Sequence, residues 1–256
     1  SAPTLYYYCT NHSGMGGQAN TNSTLGSSNF DGSIQSTAKV NATAGFSIVK
    51  YTGNGNNPAT IGHGLGVAAD VLLIKNRSNS ANWGVFHHKN TSAPETEILY
   101  LNSTSATNDR AVFNDTMPTS TVFSVKAFDE VNNSNQNYVA YCFSEVAGYS
   151  KFGSYTGNAS DDGTFIFTGF RPAWIMMKET SSTSRWSIYD NKRNPNNPNT
   201  TYLRAQATNG DTISSVNAVD FLSNGFKMRT GSEPNASQTY VFFAFAKSPL
   251  KYARAR

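Results

Sequence analysis

YTGNGNNPATIGHGLGVAADVLLIKNRSNSANWGVFHH, residues 51–88, and YTGNASDDGTFIFTGFRPAWIMMKETSSTSRWSIYDNK, residues 155–192, are two versions of one passage. Tyr51 to Asn54 aligns with Tyr155 to Asn158, Lys75 with Lys178, and Trp83 with Trp186. The offset of about a hundred residues is too long for a solenoid repeat and suits a duplicated domain. The register continues downstream: Phe123 in TVFSV meets Phe226 in NGFKM, and YVAYCFSEV from Tyr138 meets YVFFAFAKS from Tyr240.

Each version reads as short strands joined by turns. VLLIK and WIMMK are continuous apolar runs, as a central strand covered on both faces requires, whereas WGVFHH and RWSIYD alternate with period two. The polar segments between them, NRSNSAN and ETSSTS, suit hairpin loops. About seven strands per copy, with turn signals about every ten residues, predict an all-β fold. The expected architecture is two tandem β-sandwich repeats, jelly-roll or lectin-like, over residues 45–147 and 148–256. An extended N-terminal arm, residues 18–44, precedes them, and residues 1–17 form a terminal strand and loop.

Composition agrees. Charged residues make up 14% of the 256, so Asn, Ser, Thr and Gly must carry solubility, and these favour turns and strands over helices. No apolar run approaches the roughly 20 residues that span a bilayer as a helix, so no membrane insertion is expected. The chain opens at Ser1 rather than methionine, which points to a processed or partial chain. The net charge of +4 comes from scattered Lys and Arg, with a basic close, KYARAR. Nucleic-acid binders concentrate such residues on one face, so nucleic acid is not an expected partner. Two cysteines, Cys9 and Cys142, give no disulfide framework. Cys142 aligns with Ala244 and so reads as a small core side chain.

Candidate sites are few. Cys9, His12 and Met15 in YYYCTNHSGMGG have the spacing C-x2-H-x2-M, which would supply three of the four ligands of a type 1 copper centre. A histidine on an earlier strand, the fourth, has no room before Cys9, so the set is incomplete. Asp161 and Asp162 lie in a turn segment and could contribute oxygen ligands to calcium. Trp83 and Trp186 recur at one position and are either ligand-stacking rings or core anchors. His63, His87 and His88 have no nucleophile context around them, and no acid pair has the spacing of a glycosidase. The chain is therefore expected not to be an enzyme and to hold no required cofactor, with copper or calcium as the metals to consider.

The segments APTLYYYCTNHSGMGG, FDGSIQSTAKVNATAGFSIVKYTGNG, GHGLG, YVAYCF, GYSKFGSYTGN, GFRPAWIMMK, SNGFKMRT and FAFAKSPLKYARAR together resemble structural proteins of marine tailed bacteriophages, cyanophages among them. In longer relatives the tyrosine-rich strand closes a cupredoxin-like module whose earlier part this chain lacks. The resemblance implies a virion protein at the particle surface: a tail fibre, an appendage or a capsid decoration. Its expected partners are itself as a homo-oligomer, a trimer foremost, other virion proteins and a host surface glycan. A lectin-like carbohydrate-binding module and a cupredoxin-type copper protein are the alternatives.

Overall fold

The computed structural model describes residues 26–214 and 218–249, and places two strands ahead of them, β1 (Leu5–Tyr8) and β2 (Gly16–Ala19), which pair antiparallel with each other. The chain is all-β. Short 3-10 turns occur at Ala42–Ala44 and Pro94–Thr96, and there is no α-helix among the described residues.

The first half is built from β3 (Ser27–Asn29), β4 (Ser36–Asn41), β5 (Phe46–Thr52), β6 (Ala59–Gly62), β7 (Val71–Asn76), β8 (Gly84–His87), β9 (Glu97–Tyr100), β10 (Asn108–Asp109), β11 (Val122–Val125) and β12 (Asn137–Phe143). Eight of these form one antiparallel sheet in the order β10-β9-β8-β7-β12-β5-β4-β3, and β11 and β6 form a small second sheet. The second half contains β13 (Ser150–Thr156), β14 (Phe165–Phe167), β15 (Pro172–Glu179), β16 (Ser187–Asp190), β17 (Thr201–Leu203), β18 (Thr212–Ile213), β19 (Val219–Leu222), β20 (Gly225–Met228) and β21 (Thr239–Ala246). Its large sheet runs β18-β17-β16-β15-β21-β13, and its small sheet β14-β20-β19. Taken element by element, the order β18-β17-β16-β15-β21-β13 matches β10-β9-β8-β7-β12-β5. Strands β3 and β4 extend only the first sheet.

Side-chain alternation explains the layering. On β12, Tyr138, Ala140 and Cys142 enter a core shared with Ile61 of β6 and Phe123 of β11, while Phe143 points the other way. On β21, Tyr240, Phe242 and Ala244 enter a core with Ile166 of β14 and Phe226 of β20, while Val241 and Phe243 face outward. The outward sets meet. Val71, Val85 and Leu99 of the first half pack with Phe152, Met176, Trp186, Val241 and Phe243 of the second in a third core between the two large sheets. The apolar runs of β7 and β15, residues 71–74 and 174–177, lie between cores: Leu72 and Ile74 face the first and Val71 the third, while Ile175 and Met177 face the second and Met176 the third.

The YTGN passages act as matching locks. The Tyr51 hydroxyl donates to the Val131 carbonyl and the Tyr155 hydroxyl to the Pro234 carbonyl, each at 2.6 Å. Tyr51 stacks on Tyr138 at 5.1 Å and Tyr155 on Tyr240 at 5.0 Å, both with rings 12° apart. The amide of Asn54 donates to Asn132 Oδ1 at 3.0 Å and that of Asn158 to Asn235 Oδ1 at 3.3 Å. A Cβ on Gly53 would sit 2.3 Å from the Asn133 carbonyl oxygen, and one on Gly157 2.0 Å from that of Ala236, so glycine is required in both.

Candidate functional site

The large sheet of the first half extends beyond the third core and carries an accessible aromatic strip. Tyr141 on β12 lies opposite Leu73 of β7 and Ile48 of β5, and its register puts it on the face away from Tyr138, Ala140 and Cys142. Trp83, just ahead of β8, has its amide held by Asn102 Oδ1 at 2.9 Å. Its ring lies 6.3 Å from that of Tyr141 with planes 15° apart, and Phe46 continues on the other side at 6.5 Å and 10°. All three rings are half-buried. Lysines flank them on the same face: Lys75 and Lys50 lie opposite Val139, and Lys39 opposite Ile48. Beside the strip is a polar groove of about 260 Å³ lined by Gln35, Thr37, Lys50, Arg77 and Asn137. Three half-buried rings in a row leave aromatic surface within reach of a ligand, and the cations beside them favour anionic or hydroxyl-rich ligands.

The other sequence candidates fall elsewhere. Trp186 is fully buried in the third core, where its indole N–H donates to the Tyr100 carbonyl at 2.9 Å and its ring meets Phe243 edge-on. It is therefore a core anchor with no access to a ligand, and the stacking role considered for it does not apply. Cys9, His12 and Met15 lie outside the described residues. Among the described residues no three His, Cys, Asp or Glu side chains gather as a metal site. Asp161 Oδ1 accepts the Gly231 amide at 2.8 Å and Asp162 pairs with Lys227 of β20 at 2.5 Å, so the two carboxylates tie their loop to the end of β20 and the turn after it. Burial pushes the Cys142 thiol up to about 12, which leaves it protonated and unreactive.

The histidines serve as connectors. The Nδ1 of His63 accepts from the Leu65 amide at 3.2 Å, and its Nε2 faces the Thr119 carbonyl at 3.1 Å. His87 and His88 reach across the junction between the halves, to the Phe242 carbonyl at 3.2 Å and the Phe152 carbonyl at 2.9 Å. His88 also contacts Asp70 at 2.8 Å. Burial raises the Asp70 carboxyl, but hydrogen bonds from His88 and the Glu145 amide outweigh it and hold the group below its usual range.

A family model described as a domain of unknown function, DUF7483, matches residues 18–249. The chain belongs to the DUF7483 family. The DUF7483 match takes in both YTGN passages, the aromatic strip and the junction histidines, and it starts after Cys9, His12 and Met15. No curated protein and no solved structure matches the chain.

The sequence reading missed Tyr141 and Phe46 as partners of Trp83. The available signal was the period of β12, in which Tyr141 falls out of phase with the core positions.

Proposed function

We propose that this chain is a non-enzymatic structural protein of a tailed-bacteriophage virion, displayed on the particle surface as a fibre, appendage or decoration and associating with itself. The observation that carries the reading is the sequence resemblance to marine phage structural proteins, which runs through nearly the whole chain. Each large sheet with its small sheet is read as a β-sandwich, jelly-roll or lectin-like, in tandem, with residues 18–44 as the extended arm. Supporting the reading is the rigidity such display needs: two matching sets of strands joined through a shared apolar core. Mass spectrometry of purified particles, with a map of the particle, tests it. The chain is expected among the virion proteins with its density on the outside, and its absence from intact particles overturns the reading.

A second reading, that the chain binds a host surface glycan, is favoured by the strip of Trp83, Tyr141 and Phe46 with its lysine border. Pyranose rings present apolar faces that stack on such surfaces, and Lys50 and Arg77 would meet acidic substituents. On a glycan array, Trp83→Ala and Tyr141→Ala are expected to lower binding at least tenfold with circular dichroism unchanged. A wild-type protein that binds no glycan removes this reading and leaves the structural one standing.

A further inference from the structure

In the first half the outer edge of β5 is paired by β4, and Ile34 ahead of it bridges Ile61 of β6. The Ile34 amide donates to the Thr60 carbonyl at 3.0 Å, Ser33 and Thr60 exchange two bonds of 2.9 Å, and Ser36 Oγ donates to the Gly62 carbonyl at 3.1 Å. Residues 33–41 thus close the seam between the large and small sheets.

The corresponding seam of the second half lies between β13 and β14. Among the described residues β13 pairs only with β21 and β14 only with β20. Tyr149 accepts from Ala246 and Gly157 donates to Gln238, so the backbone groups of Ser150, Phe152, Ser154 and Thr156 face the open side. Part of that edge is already capped. Ser150 donates to Val146, the Phe152 amide donates to Glu145 Oε2 at 3.5 Å while its carbonyl meets His88, and the Thr156 carbonyl accepts from Thr164. Exposed Ser154 remains, above a groove of about 390 Å³ lined also by Lys151, Phe165 and Phe167. The two phenylalanines are 43% and 61% exposed on a three-residue strand. The connector Ser144–Tyr149 is too short to double back along β13 as residues 33–41 do along β5.

We propose that this groove is a strand-acceptor site whose occupant is β1 of a second copy of this chain. Strand β1 has the strand-favouring sequence Leu-Tyr-Tyr-Tyr, and β1 and β2 pair with each other and with no other strand among the described residues. A two-stranded hairpin alone is marginal in water, and an open edge beside exposed aromatic surface is a template for pairing. Each lack is met by the other. The first half supplies the geometry, an extended segment laid across both sheets. The inference rests on the self-association proposed above and assigns it an interface.

Light scattering of the full chain and of four variants tests it. Wild type is expected as an oligomer. Ser154→Pro removes an outward N–H without touching the β21 ladder, Phe167→Lys charges the groove, and Tyr7→Pro blocks the donor strand. All three are expected to fall to the mass of one chain with unchanged circular dichroism, while Val40→Lys, on exposed β4, keeps the wild-type mass. Mixing the Ser154→Pro and Tyr7→Pro proteins restores a two-chain species, because each retains the half the other lacks. An oligomer that persists in Ser154→Pro and Phe167→Lys, or a mixture that stays single-chain, overturns the acceptor site and leaves self-association intact. A wild type that is monomeric at high concentration overturns both.

Discussion

Tyr155 and Tyr189 are both buried in the core of the second half, yet their hydroxyls differ in kind. That of Tyr155 donates to the Pro234 carbonyl, whereas that of Tyr189 meets no hydrogen-bond partner. An unmade bond at a buried hydroxyl costs desolvation with no return, and a made one is lost when the oxygen is deleted. Tyr155→Phe is therefore expected to lower stability by about 1–2 kcal/mol, and Tyr189→Phe to leave it unchanged or raise it by about 1 kcal/mol. Urea midpoints of the two variants check the contrast. At this scale the sequence marked YTGN as a unit without giving its purpose. The carbonyls its tyrosines reach, at Val131 and Pro234, lie some eighty residues away and leave no local pattern.

Strands and their faces were easier to read than their partners. The runs VLLIK and WIMMK became β7 and β15, whose apolar residues have a core on each side, and the polar segments after them became the hairpin turns into β8 and β16. What covers the second face was not legible, because period and composition report that a strand is buried and not against which sheet. The same holds for Trp83 and Trp186, which share a sequence position while one ends at a surface and the other inside the third core. Strand β8 shows how that junction responds to acid. Burial first, and His88 second, hold the His87 imidazole at about 3 instead of 6.5. Between those values the unfolded chain binds more protons than the fold, so the contribution is complete above pH 6.5 and drains away as pH falls toward 3. His87→Gln is expected to shrink the loss of unfolding free energy between pH 7 and pH 4 by up to about 3 kcal/mol, measured by urea titration at both values. An unchanged difference would place the acid sensitivity elsewhere.

Across the whole molecule, the all-β class could be read from low charge and abundant Asn, Ser and Thr, and the strand order of the two large sheets follows the internal similarity of the sequence. Their face-to-face stacking could not, since it depends on alternate residues of β12, β15 and β21 that satisfy an inner core equally well. That stacking has a mechanical consequence. Two modules strung on a linker swing and can be pulled apart one after the other. Here only Ser144–Tyr149 connects Phe143 to Ser150, and the aromatic layer between the sheets holds them broadside. The two plates therefore move together as one stiff unit, because the layer between them must be sheared or peeled open before the connector at residues 144–149 can act as a hinge.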